Sequence, residues 1–178
     1  MCEARLRFVP GKAVSARTFL ALGSNMGNKL GHLDAALRAI AALPGTNLRR
    51  ASHIYRTPPW GKTDQDWFAN AVVEIETTLA PEALLDAVLA IEIEQGRVRR
   101  ERWGPRIIDI DILSYGEIRL ASPRLTLPHP AMGERAFVLM PLREIAPEYR
   151  IGSQTIAGRL AELDTQGIEP MAAFRSPT

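Results

Sequence analysis

Asp109 and Asp111 stand two residues apart in the otherwise apolar segment Ile107–Tyr115, IIDIDILSY. In a strand, residues i and i+2 share a face and lie about 7 Å apart, so both carboxylates point one way and Ile108, Ile110 and Ile112 the other. Two like charges side by side repel and lose hydration unless a cation sits between them. A small set of oxygen ligands favours Mg²⁺, which keeps most of its waters and completes its shell with substrate phosphates. The plainer alternative is a solvated strand face, or acids paired with nearby arginines.

Those arginines are close in sequence. Five of the ten residues from Arg97 to Arg106 are arginine, which suggests a local anion site. Phosphoryl transfer runs on cations arranged around developing charge, so acids that hold metal and arginines that hold phosphate belong to one chemistry. A basic run after a helix is also an ordinary complement to the helix dipole. Gly23-Ser24-Asn25-Met26-Gly27-Asn28 resembles a phosphate cradle but lacks the Gly-Lys-Ser/Thr ending of a P-loop, and reads better as a tight turn. His129, between Pro128 and Pro130, is placed to donate to a phosphate or simply to fill a turn. His32 and His53 have no partner at zinc-site spacing and read as surface or packing residues.

The elements that must position these groups follow from periodicity. Thr18–Gly23 predicts a buried strand, and Asn28–Leu43 a helix stopped by Pro44-Gly45. Leu48–Arg56 predicts a second strand, ended at Thr57-Pro58-Pro59 because prolines cannot donate to a ladder. Phe68–Thr77 alternates with one apolar face and predicts a third strand. Pro81 opens a second helix that Gly96 ends, and Ile107–Tyr115 is the last strand. Strand, helix, strand, strand, helix, strand is the order of a ferredoxin-like α+β sandwich with an antiparallel sheet. C-terminal additions follow, including a short helix over Phe137–Ile145 that covers an edge or end of the sheet. Residues 1–16 read as a flexible arm, 17–163 as a single domain and 164–178 as a weakly ordered tail.

At 178 residues and 46% hydrophobic, the chain has enough apolar mass for one core. A net charge of +2 argues against a nucleic-acid or membrane partner. The single cysteine, Cys2, excludes an internal disulfide and fits the cytoplasm, and no apolar run reaches the ~20 residues of a membrane helix.

In chain order, FLALGSNMGN, YRTPPWG, the FAN opening of the third strand, GRVRRERWGPRIIDIDIL and RLTLPHPAMGERAFVLMPL resemble the 6-hydroxymethyl-7,8-dihydropterin pyrophosphokinases of folate synthesis, over roughly Thr18 to Tyr149. The resemblance implies transfer of pyrophosphate from ATP to the pterin, giving the pterin diphosphate and AMP. By the same resemblance Asp109 and Asp111 hold two Mg²⁺ ions, and Arg97 and Arg106 close over the phosphates. It implies a pterin pocket of Thr57, Pro58, Pro59, Trp60, Phe68, Asn70 and Phe137, the two phenylalanines sandwiching the heterocycle and Asn70 reading its polar edge. The implied ATP contacts are Glu92, Arg99, Trp103, Ile112, Arg124, Thr126, His129 and Arg135. The chain departs from the family pattern at Leu89, where a Gln is common, at Pro130 in place of an aromatic, at Phe68 in place of Tyr, and in a loop before Trp103 one residue shorter. A monomer acting on small molecules is expected. A ferredoxin-like RNA-binding module is the rival class, disfavoured because Asp109 and Asp111 would repel a phosphate backbone. A nucleotidyltransferase releasing pyrophosphate is the rival enzyme.

Overall fold

The computed structural model describes residues 15–61, 63–97 and 105–175. Strand β1 (Ala16–Ser24) is followed by helix α1 (Lys29–Ala41), whose first turn is capped by the Asn28 side chain accepting the Gly31 N–H. Strands β2 (Thr46–Ala51), β3 (Ile54–Thr57) and β4 (Phe68–Thr77) lead to helix α2 (Pro81–Glu94), with Pro81 in its first turn and Gly96, at φ +87°, just past its end. Strand β5 (Asp109–Tyr115) carries the two acids. Beyond it come the hairpin β6 (Leu120–Ala121) and β7 (Thr126–Leu127), a 3₁₀ turn, helix α3 (Ala136–Ile145), the small hairpin β8 (Arg150–Ile151) and β9 (Gln154–Thr155), helix α4 (Ile156–Leu160) and strand β10 (Glu169–Ala172).

The main sheet runs β10-β3-β4-β1-β5 with every pairing antiparallel, and β2 pairs with β4. Within it, β5-β1-β4-β3 is the ferredoxin-like order expected for this alternation of elements. The helix-side core takes Leu20, Leu22, Ala69, Ala71, Val73, Ile75, Ile108, Ile110 and Ile112 against Leu33, Leu37, Ile40, Leu84, Val88 and Ile91. The opposite face packs Phe19, Val72 and Leu113 against α3 and α4.

Several expectations are corrected here. The strand anticipated over Leu48–Arg56 is two, β2 and β3, which pair with the same edge of β4 around an irregularity at Ser52-His53. Ser52 keeps the ladder continuous there: its N–H donates to the Val72 carbonyl and its Oγ accepts the Val72 N–H. Strand β4 was expected to have one apolar face, yet almost its whole length is buried, because α3 lies across the other face and not at an edge or end. The acidic residue that alternation placed outward, Glu74, is buried and satisfied by Arg17 and Arg50. Ala16, assigned to the arm, already belongs to β1, and residues 1–14 lie outside the described chain. The tail from Asp164 supplies β10, which adds to β3. No helix among the described residues is long and apolar enough to cross a membrane.

Tyr55 links sheet and α3: its hydroxyl donates to Glu144 Oε2 at 2.9 Å, and burial, with that carboxylate, pushes its pKa up to about 12. The folded pKa lies above the unfolded value of 10.0, so this group's contribution to stability is intact below pH 10 and is lost as pH rises toward 12. The stability margin of the native chain over Tyr55→Phe should therefore narrow across that window in parallel denaturant titrations. A constant margin would contradict the assignment.

Candidate active site

One cavity of about 590 Å³ opens where β1, β4 and β5 approach α2 and α3. Sheet register explains what faces it. Asn70 on β4 is opposite Gly23 on β1, and Gly23 is opposite Asp109 on β5, so the three form one row across neighbouring strands. The next row is Val72, Ala21 and Asp111. With strands spaced about 4.8 Å, Asn70 and Asp109 stand about 10 Å apart across a residue that has no side chain. Gly23 is required by space: a Cβ there would lie 2.8 Å from Asn70 Oδ1. Asn70 is held in place by donating to Thr57 Oγ1 at 2.7 Å, both groups being buried.

At the aromatic end, Thr57, Pro58, Trp60, Phe68, Asn70 and Phe137 all line the cavity. Trp60 packs on Phe137 with ring centroids 6.1 Å apart, and the Arg135 guanidinium lies over both rings, 5.3 and 5.9 Å from their centroids.

At the acidic end, Asp109 is clamped by Arg97 at 2.5 Å and by Arg106. Arg97 also pairs with Glu92. Glu92 is only 2% exposed and accepts the Ile110 N–H at 2.7 Å, so it braces the backbone of β5 between the two acids. Burial raises the Glu92 pKa, against the pull of the Ile110 N–H and Arg97. Asp111 is met more loosely, by Arg135 Nη1 at 3.4 Å and His129 Nε2 at 3.9 Å. Burial and the neighbouring charge of Asp109 both raise its pKa. The acids therefore differ: one is held by two guanidiniums, and the other by a single guanidinium at longer range. Among the described residues no group of three or more His, Cys, Asp or Glu side chains could hold a metal. Two carboxylates on one face still suit Mg²⁺, which takes few protein ligands and leaves positions for phosphate and water.

The donors around Asp111 are oriented. The backbone N–H of His129 donates to the carbonyl of Leu113, which ties the Pro128-His129-Pro130 loop to β5. His129 Nδ1 accepts the Ala131 N–H, so a neutral ring carries its proton on Nε2, the nitrogen that faces Asp111. Burial lowers the His129 pKa and favours that neutral form, with Asp111 opposing. Arg135 Nε is buried with no hydrogen-bond partner among the described residues. A buried donor of this kind on a cavity wall calls for an acceptor that a bound anion would supply.

Of the expected site residues, Thr57, Pro58, Trp60, Phe68, Asn70, Glu92, Arg97, Arg106, Asp109, Asp111, His129, Arg135 and Phe137 line this one cavity. Pro59, Ile112, Arg124 and Thr126 do not. The Ile112 side chain is 3% exposed in the helix-side core, because it shares the apolar face of β5. Arg124 pairs with Asp86 on the outer surface of α2, and Thr126 is exposed on β7. Arg99 and Trp103 lie outside the described residues. Reasoning from sequence overlooked Gly23 and Ala21 as wall residues, and the signal for them was their small size beside strands that carry the chemistry.

Comparison with known proteins bears on this geometry. The family model described as 7,8-dihydro-6-hydroxymethylpterin-pyrophosphokinase matches residues 19–147. A 2-amino-4-hydroxy-6-hydroxymethyldihydropteridine pyrophosphokinase of Methylorubrum extorquens is 54% identical over 153 residues, 86% of this chain and 97% of that one. The protein of the same description from Pseudomonas aeruginosa is 47% identical, with 86% and 95% covered. In crystal structures of wild-type Plasmodium falciparum HPPK-DHPS the fold recurs with a TM-score of 0.66 at 18% identity, in one complex with pterin and p-hydroxybenzoate. That alignment takes in 85% of this chain and 44% of the Plasmodium chain, so the chain spans less than half of that protein.

Proposed function

Because this chain belongs to the 7,8-dihydro-6-hydroxymethylpterin-pyrophosphokinase family and is a pterin pyrophosphokinase of folate biosynthesis, we propose that its reaction takes place in the cavity between Asn70 and Asp109, with ATP as donor and two Mg²⁺ ions on Asp109 and Asp111. The row Asn70, Gly23, Asp109 carries this reading. It offers one edge for a flat heterocycle and, about two strand spacings away, carboxylates for a metal-bound triphosphate.

The pterin's polar edge meets Asn70 and Thr57, its faces lie against the rings of Phe68 and Phe137, and its hydroxymethyl group projects along the open strip over Gly23 toward β5. Stacking adds on the order of 1 kcal/mol beyond area burial. Asp109 and Asp111 would hold Mg²⁺, which would neutralise triphosphate charge and polarise the phosphoryl oxygens. Arg97 and Arg106, which clamp Asp109 in this structure, are placed to pair with phosphate oxygens of the bound nucleotide. His129 Nε2–H and Arg135 donate to the nucleotide's phosphates from the far wall. The hydroxymethyl oxygen forms a bond to the β-phosphorus as the bond from that phosphorus to the oxygen bridging it to the α-phosphorus breaks. AMP leaves, and the hydroxyl proton is lost to solvent. A monomer acting on small molecules in the cytoplasm is the working unit of this reading, the single cysteine fitting a reducing compartment.

The products decide the reading. Incubation with MgATP and 6-hydroxymethyl-7,8-dihydropterin should give AMP and the pterin diphosphate; pyrophosphate and an adenylylated pterin would overturn it. Gly23→Ala should leave the fold intact and raise the pterin KM by about tenfold, because the new methyl displaces Asn70 from Thr57 and fills the strip. An unchanged KM in steady-state kinetics would refute that placement of the pterin.

A further inference from the structure

The segment Gly23–Asn28, whose first two residues end β1, joins the two halves of the cavity. Asn25 is 4% exposed, and its amide is used at both ends. Its Oδ1 accepts the backbone N–H of Arg106 at 2.8 Å, while its own backbone N–H donates to the Arg106 carbonyl at 3.2 Å. Its Nδ2 donates to Gln65 Oε1 at 2.9 Å. Gln65 closes the segment that carries Pro58 and Trp60. The two residues after it are anchored to the same turn region: Asp66 pairs with Lys29 at 2.6 Å, and the Trp67 ring has the Lys29 amine 4.1 Å from its centroid on one contact and the Arg56 guanidinium 5.1 Å away on another.

We infer that Asn25 is a positioning residue that couples the pterin-side segment, through Gln65, to the phosphate-side backbone at Arg106. This rests on the functional reading above. Neither hydrogen bond reaches a substrate. A single planar amide makes both, so a shift of Gln65 is transmitted to Arg106, two strands away, and back. Any energetic coupling between two ligands is reciprocal, and the loss of one neutral hydrogen bond corresponds to about fivefold in an equilibrium constant.

The test measures, by calorimetry, the factor by which saturating 6-hydroxymethylpterin raises the affinity for a magnesium complex of a non-hydrolysable ATP analogue. Gln65→Ala, which leaves the Asn25–Arg106 contacts in place, should cut that factor by about fivefold while changing each ligand's separate affinity less than twofold. Gln65→Glu keeps the acceptor for Asn25 Nδ2 and should retain the factor, an outcome that a merely structural role for position 65 does not produce. Asn25→Ala should lose the coupling too, and adding Gln65→Ala to it should cause no further loss. A native chain with no coupling, a Gln65→Ala variant with native coupling, or additive losses in the double variant would overturn the inference. If the native chain bound neither ligand, the functional reading would fall with it, whereas normal native coupling with unaffected variants sinks the Asn25 link alone.

Discussion

Asp111→Asn should lower kcat by about a thousandfold or more while leaving the melting temperature of the ligand-free protein unchanged or slightly higher. On the proposed function, the activity loss follows from replacing one of two anionic oxygen ligands by a neutral one, which weakens the hold on metal at the triphosphate. The stability result follows from the surroundings of Asp111. Partial burial and Asp109 disfavour its charge, and its nearest cation, Arg135, is 3.4 Å away. An amide keeps an acceptor for Arg135 and removes the repulsion. Asp109→Asn should differ by losing stability as well as activity, because Arg97 and Arg106 would converge on a neutral group. Steady-state kinetics and thermal denaturation without ligands make the comparison. An Asp111→Asn enzyme retaining more than a tenth of native kcat would remove the metal role, and a large fall in its melting temperature would make the carboxylate structural.

Arg106→Ala should reduce kcat by about a hundredfold to a thousandfold with less than a threefold change in pterin affinity. Arg106 pairs with Asp109 and lines the acidic end of the cavity, where the proposed function places the phosphates. A guanidinium that meets charge developing on the transferred group lowers the barrier without contributing to ground-state binding of the other substrate. Rapid-quench measurement of the chemical step beside pterin titration separates the two quantities. Equal losses in both would mean that Arg106 organises the whole pocket and has no special role in the transition state. Arg106→Lys should recover only part of the rate, since an ammonium cannot hold two oxygens in the planar geometry of a guanidinium.

Local chemistry made much of this protein readable. The bounds of β4 could be drawn from alternation alone, those of α2 from Pro81 and Gly96, and the acids of β5 from two charges that no apolar strand would carry idly. Errors came where a distant segment supplied the partner. Strand β4 has two buried faces because α3, more than fifty residues later, lies across it, and β10 could not be anticipated because a four-residue edge strand containing Pro170 has almost no pattern of its own. Ile112 sits in the core on the apolar face that alternation gives it, whereas the pairing of Arg124 with Asp86 is an outcome that spacing along the chain leaves undetermined.

From its sequence alone this protein determined which residues could do chemistry and which face of each strand or helix they occupy, since both depend on side-chain type and a period of two or 3.6. Register between strands far apart in the chain was decided only on folding. It brought Asn70, Gly23 and Asp109 into one row and closed Arg97 and Arg106 on the same carboxylate. The physical reason is that hydrogen-bonded pairing and core packing act between segments whose mutual alignment no local preference encodes.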